Sequence, residues 1–249
     1  MFEKGDIRVA PIPRTPSRQE ALEHACTHVP FRSWCPHCVR GKAKSGVHRS
    51  NGGSAASDKP VVAFDYAFLG ERPIEDPDDA EPHIKVLVGR DSHARVYWSC
   101  PVPQKGLDNE EYAVRQTLRF LDFLGYNNLV LKSDQEPALG AVLKKVRVHR
   151  GMDTQNMIEH SAVGDSKQNG FIERAIQQVE GQIRTLRDAL ESNLGIKLRT
   201  DDCVVPWMVA HAGNLLTLYE IGPDGRSPFQ RLRGAQNEAR SLRVRRERA

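Results

Sequence analysis

The chain has 249 residues, 27% of them charged, and a formal net charge of +4. No run approaches the ~18 consecutive apolar residues of a membrane helix, and the N-terminus, Met-Phe-Glu-Lys-Gly-Asp, lacks the apolar centre of a secretory signal. A soluble protein of a reducing compartment is expected, with no membrane partner.

The charge is unevenly placed. Residues before 60 and after 225 are basic and residues 71–81 are acidic, a distribution that suits a polyanionic partner or simply solvates the tails. Five cysteines, an odd count with a single Cys-x-x-Cys pair, argue for a metal and against a disulfide framework. Cys100 and Cys203 lie in apolar surroundings and read as buried thiols.

Residues 1–19 carry Pro11, Pro13 and Pro16 and read as a disordered leader. Residues 20–42 hold His24-Ala-Cys-Thr-His28 and Cys35-Pro-His-Cys38. Two histidines four apart share a helix face, and Cys-x-x-Cys forms a knuckle. His24, His28, Cys35 and Cys38 therefore make a plausible tetrahedral zinc set, with Cys26, His37 and His48 as alternative ligands. Val29, Phe31 and Trp34 are placed to pack around such a metal. Residues 43–59, rich in Ser, Gly and Ala, read as a flexible linker.

A folded unit is expected over 60–222. Val61 to Phe68 alternates as a strand, with Phe64, Tyr66 and Phe68 on one face and Ala63, Asp65 and Ala67 on the other. After an acidic loop, 84–88 and 94–99 read as a hairpin. Asn109 to Leu124 is helical, closed by Gly125. Residues 128–132 form a buried strand ending at Ser133-Asp134, and Pro137 to Val146 a second helix, with a further strand near 146–149. Residues 163–170 read as a loop. The longest helix, 171–194, carries the stripe Ile172, Ile176, Val179, Ile183, Leu186, Leu190 and Leu194. One more helix covers 206–219, and 223–249 form a basic tail. The layout is α/β, starting antiparallel and continuing parallel.

Three acidic residues bear on chemistry. A charge inside an apolar strand, as at Asp65, is unfavourable unless it is paired, hydrogen-bonded or metal-bound. Asp134 falls where a strand meets a helix, at the carboxyl edge where ligands gather in α/β proteins. The stretch Ser133-Asp-Gln-Glu136 also fits a capping box, which gives Ser133 and Glu136 a structural role. Glu173 sits beside the apolar stripe, the usual place of an exposed helical glutamate. It comes just after Asn169-Gly170, read as a flexible turn.

Together these motifs resemble the integrase region of a copia-type LTR retrotransposon, in the DDE integrase/transposase family. The resemblance rests on Asp65 in Val-Ala-Phe-Asp-Tyr, Asp134 in Leu-Lys-Ser-Asp-Gln-Glu-Pro, and Glu173 in Gln-Asn-Gly-Phe-Ile-Glu-Arg. Asp224-Gly-Arg-Ser-Pro-Phe-Gln-Arg-Leu-Arg-Gly234 resembles the segment C-terminal to such cores. The resemblance covers about residues 20–234. Sixty-eight residues separate Asp65 from Asp134, and thirty-eight separate Asp134 from Glu173; both gaps are longer than usual.

The resemblance implies a ribonuclease H-like core, a mixed five-stranded sheet flanked by helices, after a small Cys/His zinc-binding segment. Its His28-to-Cys35 spacer of six residues is shorter than in related modules. It further implies a polynucleotidyl transferase using two Mg²⁺ or Mn²⁺ ions on Asp65, Asp134 and Glu173. Processing of DNA 3′ ends, strand transfer into target DNA, a homo-oligomer and a nuclear or cytoplasmic-particle location are implied with it. Gln177 and Glu180 stand where related enzymes place lysines; Arg174, Arg184 and Arg187 offer positive charge instead. Lys167, Asn169, Arg174, Gln177 and Arg184 are the candidate DNA contacts. A non-catalytic nucleic-acid-binding remnant and a ribonuclease H-type nuclease are the alternatives.

Overall fold

The computed structural model describes residues 14–42, 59–70, 84–151, 156–160 and 166–234. The acidic loop, the 43–58 linker, His48 and the arginines beyond 234 lie outside the described residues.

A five-stranded sheet in the order β3-β2-β1-β4-β5 forms the middle layer. The strands are β1 (Val61–Leu69), β2 (Ile84–Asp91), β3 (Tyr97–Val102), β4 (Leu129–Ser133) and β5 (Asn156–His160). β2 pairs antiparallel with β1 and β3, whereas β1, β4 and β5 run parallel. β1 is central, and its alternation sets the two cores. Phe64 and Tyr66 face one cluster with α3 (Tyr112–Leu124) and α4 (Pro137–Arg150). Ala63 and Ala67 face the other, with α5 (Ser166–Leu194) and α6 (Val204–Tyr219). Small alanines on that face let α5 lie close to β1.

Two buried hydroxyls tie α6 to the sheet. Ser99 Oγ donates to the Val209 carbonyl at 2.6 Å, and Thr217 Oγ1 accepts from Tyr97 N at 2.9 Å and donates to its carbonyl at 2.8 Å. α3 ends at Gly125, whose φ of 72° fits the left-handed cap that glycine accepts without strain. A short helix, α7 (Pro228–Arg233), opens with a Ser227/Gln230 capping box and packs against α6. Among the described residues no helix is long and apolar enough to cross a membrane.

Several expectations are corrected. Residues 146–149 belong to α4, and the next strand is β5 at 156–160. Val146 extends the helical face of Leu139, Val142 and Leu143, while Val148 points outward, 74% exposed. A valine pattern that suits a strand is thus absorbed by a helix already running. α5 begins at Ser166, so Asn169 and Gly170 are helical and make no turn. Cys203 is exposed, because it is the N-cap residue of α6 and stands at the helix edge; Cys100 is buried.

Two short helices, α1 (Arg18–Ala25) and α2 (Pro36–Lys42), precede the sheet. α1 starts at a capping box, Ser17 with Glu20. α2 crosses the middle of α5 at Gly41. A Cβ at residue 41 would lie 2.2 Å from Thr185 Oγ1 and 2.7 Å from its backbone N, so glycine is required for this approach. Gln182, fully buried on α5, donates to the Thr27 carbonyl at 2.7 Å. Asp188 accepts from Arg40 at 2.7 Å and pairs with His37. Gly41→Ala should push α2 off α5 and lower stability by about 1–3 kcal/mol. The check is a thermal melt together with proteolysis of the N-terminal segment; an unchanged melt would contradict the crossing.

Candidate functional sites

The first site is the Cys/His cluster. His24 lies in the last turn of α1, whereas His28 lies past its end with a left-handed φ of 52°. The two therefore do not share a helix face, contrary to what the four-residue spacing suggests. The turn between them, closed by His28 N donating to the His24 carbonyl at 2.8 Å, brings both rings inward. Cys35 precedes α2 and Cys38 lies within it. All four residues are buried, and their ligand atoms lie within 4.8 Å of one another. His24 Nε2 is 3.3 Å from Cys38 Sγ, and His28 Nδ1 is 3.5 Å from Cys35 Sγ. Zn–N and Zn–S bonds of ordinary length meeting at a tetrahedral angle require an N···S edge of about 3.6 Å. The set is compatible with zinc.

Burial pushes both imidazoles down to about 4, so each is neutral near pH 7 and can offer a lone pair. Burial also pushes the Cys38 thiol up to about 11. A cation must compensate a thiolate there, which is how metal binding and folding become linked. The alternative ligands serve elsewhere: Cys26 is exposed and its Sγ donates to the Leu22 carbonyl, and His37 pairs with Asp188. Val29 is buried and the Trp34 ring meets His24 edge-on at 4.9 Å. Phe31 is 48% exposed, so it is not part of a closed core around the cluster.

The second site is acidic. Asp65 is half-buried on the α5 face of β1, between Ala63 and Ala67. The parallel register pairs Ala63 with Lys132, and two residues further along both strands this places Asp134 beside Asp65. One oxygen of Asp65 accepts from Tyr66 N at 2.7 Å. Burial is the main cause that raises its carboxyl to about 6; the charges of Asp134 and Glu136 raise it further, while Lys105 opposes them. Asp134 Oδ1 accepts from Glu136 N at 3.0 Å.

Glu136 is itself the N-cap residue of α4, and its side chain makes no capping bond. Ser133 Oγ donates to the Asp134 carbonyl. The capping-box reading of Ser133 and Glu136 is therefore wrong, since helix α4 starts later than that box needs. The Glu136 carboxylate instead pairs with Lys105 Nζ at 2.6 Å. The sequence pattern gives no sign of Lys105, which lies in an unremarkable Pro-Gln-Lys-Gly turn.

Glu173 is next to Ile172, which packs in the same core as Ala63 and Ala67, but the Glu173 side chain is exposed. Among the described residues, the Cys/His set is the only group of three or more His, Cys, Asp or Glu side chains gathered tightly enough to hold an ion. The charge of Asp134 acts on Asp65, while the exposed Glu173 is not gathered with them.

The candidate nucleic-acid contacts spread along α5. Arg174 and Gln177 are exposed, and Arg184 Nε donates to the Gly41 carbonyl at 3.1 Å. Lys167 and Asn169 fall in the first turn, where their side chains lie outside the described residues. In the C-terminal segment, Arg231 pairs with Asp224 and Arg233 donates to the Phe123 carbonyl.

Neither a protein-family model nor a curated protein matches the sequence. Solved structures do. The chain is similar to one in the simian T-cell lymphotropic virus intasome in complex with PP2A regulatory subunit B56 gamma. Identity is 13% and the TM-score 0.52, over 80% of this chain and 63% of that one. The HTLV-2 integrase catalytic core domain in complex with magnesium, in its trimeric form, is also similar. There the identity is 11% and the TM-score 0.48, over 69% of this chain and 95% of that one. The fold is ribonuclease H-like, a mixed five-stranded sheet flanked by helices, with the small Cys/His segment docked on its longest helix.

Proposed function

We propose that the chain is a retroelement integrase of the copia type, acting on DNA as a homo-oligomer in the nucleus. One observation carries this reading: Asp65, on the central strand, lies beside Asp134, at the carboxyl edge of its parallel neighbour. In such folds that edge is where ligands gather. The donor atoms of this pair are of the kind a hard divalent cation prefers, carboxylate oxygens whose mutual repulsion is otherwise only partly offset. Asp65 and Asp134 would hold two Mg²⁺ or Mn²⁺ ions, with Glu173 reaching from the flank of α5. Bound there, the ions supply an activated oxygen nucleophile and charge stabilisation for an in-line phosphodiester displacement.

The residues of the chain place the rest. Arg174 and Gln177, both exposed on α5, would contact the DNA backbone. Zinc on His24, His28, Cys35 and Cys38 would fix the N-terminal segment against α5. The test is joining of short DNA ends to a target duplex by the purified protein with Mg²⁺ or Mn²⁺. Joined product is expected; cleavage of RNA–DNA hybrids without joining would favour the nuclease alternative.

A second reading, a nucleic-acid-binding protein without catalysis, is favoured by the exposed position of Glu173 away from the Asp65–Asp134 pair. A calorimetric Mg²⁺ titration separates the two. An active site binds metal and weakens on Glu173→Gln, whereas a remnant shows no difference.

A further inference from the structure

We propose that Lys105 is a substrate-binding residue of the acidic site: its ammonium exchanges the Glu136 carboxylate for a backbone phosphate of the bound DNA strand. The inference rests on the integrase reading above and deepens it.

Lys105 lies in the turn between β3 and α3, and this turn is fixed to the strand that carries Asp65. The next residue, Gly106, donates its N–H to Tyr66 Oη at 3.0 Å. Tyr66 is the immediate neighbour of Asp65, so the turn and the carboxylate share one anchor. The Lys105 ammonium stands 4.8 Å from the Phe68 ring centre and 5.4 Å from that of Tyr66. Aromatic faces at these distances favour a cation. Glu136 Oε1 approaches the same ammonium at 2.6 Å. The Lys105 side chain is 34% exposed, so the pair is open to an incoming anion.

Glu136 is the acidic group in contact with the Lys105 ammonium, and the charges of Asp134, Glu136 and Lys105 all act on the Asp65 carboxyl. A polyanion can approach these carboxylates only if positive charge is available at the rim. A lysine ammonium is a compact point charge with three rotatable donors, able to leave a carboxylate for a phosphate oxygen at the same distance. Glu136 makes no helix-capping bond that would hold it in place. It therefore serves as an internal stand-in for the phosphate until DNA arrives.

The experiment measures binding of a fluorescein-labelled DNA duplex by the full chain with Mg²⁺, at several salt concentrations between about 50 and 200 mM. Lys105→Ala should weaken binding about three- to ten-fold at the low-salt end, and should make the logarithmic salt dependence shallower by about one. Lys105→Arg should restore both, which a loss of local structure would not allow. Glu136→Gln, which removes the competing carboxylate, should tighten binding about three-fold. A Lys105→Ala salt dependence equal to that of the wild type would overturn the proposal, as would unchanged or weaker binding by Glu136→Gln. Absence of duplex binding by the wild type would instead bring down the integrase reading itself, and this inference with it.

Discussion

Asp65→Asn should abolish joining of DNA ends while leaving the protein folded and somewhat more stable. The loss of activity is expected to exceed roughly a thousand-fold, since the substitution removes the carboxylate on the central strand and with it the transition-state charge stabilisation that bound metals provide. The gain in stability comes from the position of the group. Its carboxyl is raised from 3.8 to about 6, first by burial and then by the charges of Asp134 and Glu136. A group raised in the folded state contributes its full stabilisation below 3.8, and that contribution is lost as pH rises through about 6. At pH 7 the ionised side chain therefore weighs against the fold. Asparagine is nearly the same shape and carries no charge. A gain on the order of 1 kcal/mol remains after allowance for solvent screening. Thermal melts of both proteins from pH 4 to pH 8 read the difference, which should be small in acid and grow towards neutrality. Equal joining activity by the variant would remove Asp65 from the site.

The second large effect concerns the Cys/His segment. Cys38→Ser, or removal of metal with a strong chelator, should unfold residues 14–42 and free them from α5. Cys38 is fully buried, with its Sγ 3.3 Å from His24 Nε2. A serine there leaves a polar group with a weak claim on zinc. Structural zinc contributes ~10 kcal/mol or more in small domains that fold around it, far above what a segment of this size gains from its few buried apolar residues. Hydrogen exchange should show residues 18–42 losing protection together with α5 residues 181–188. The strands should keep theirs. Protection unchanged in metal-free protein would mean that packing on α5, and no metal, holds the segment.

Much of the fold is legible in the sequence because it rests on local periodicity. The alternation from Val61 to Phe68 separates the two cores, and the stripe of α5 names the residues that bury it, apart from Leu194 at the frayed end. The errors fall where local preference loses to an element already formed. Val146 and Val148 suit a strand, but α4 runs through them. Asn169-Gly170 suits a turn, but α5 includes it.

The site is legible in its residue types and less so in its pairings. Asp65 and Asp134 are adjacent because of a parallel register that no short motif encodes. Glu136 passes for a helix cap by spacing alone, although its partner is Lys105, thirty-one positions away. The docking of α2 on α5 depends on Gly41 meeting Thr185, a contact across most of the chain. Only the cluster of His24, His28, Cys35 and Cys38 is compact enough in sequence to be found whole.

One rod joins the two chemistries of this protein. Helix α5 carries Glu173 near its start and grips the Cys/His segment from Gly181 to Asp188. At 1.5 Å per residue, Glu173 and Thr185 are about 18 Å apart along the axis. Base pairs stack at about 3.4 Å, so this interval matches roughly five steps of a duplex laid alongside. If DNA runs from Glu173 to the crossing of α2, this stretch of α5 is a ruler: it sets how far from its terminus a strand is held when it reaches the carboxylates.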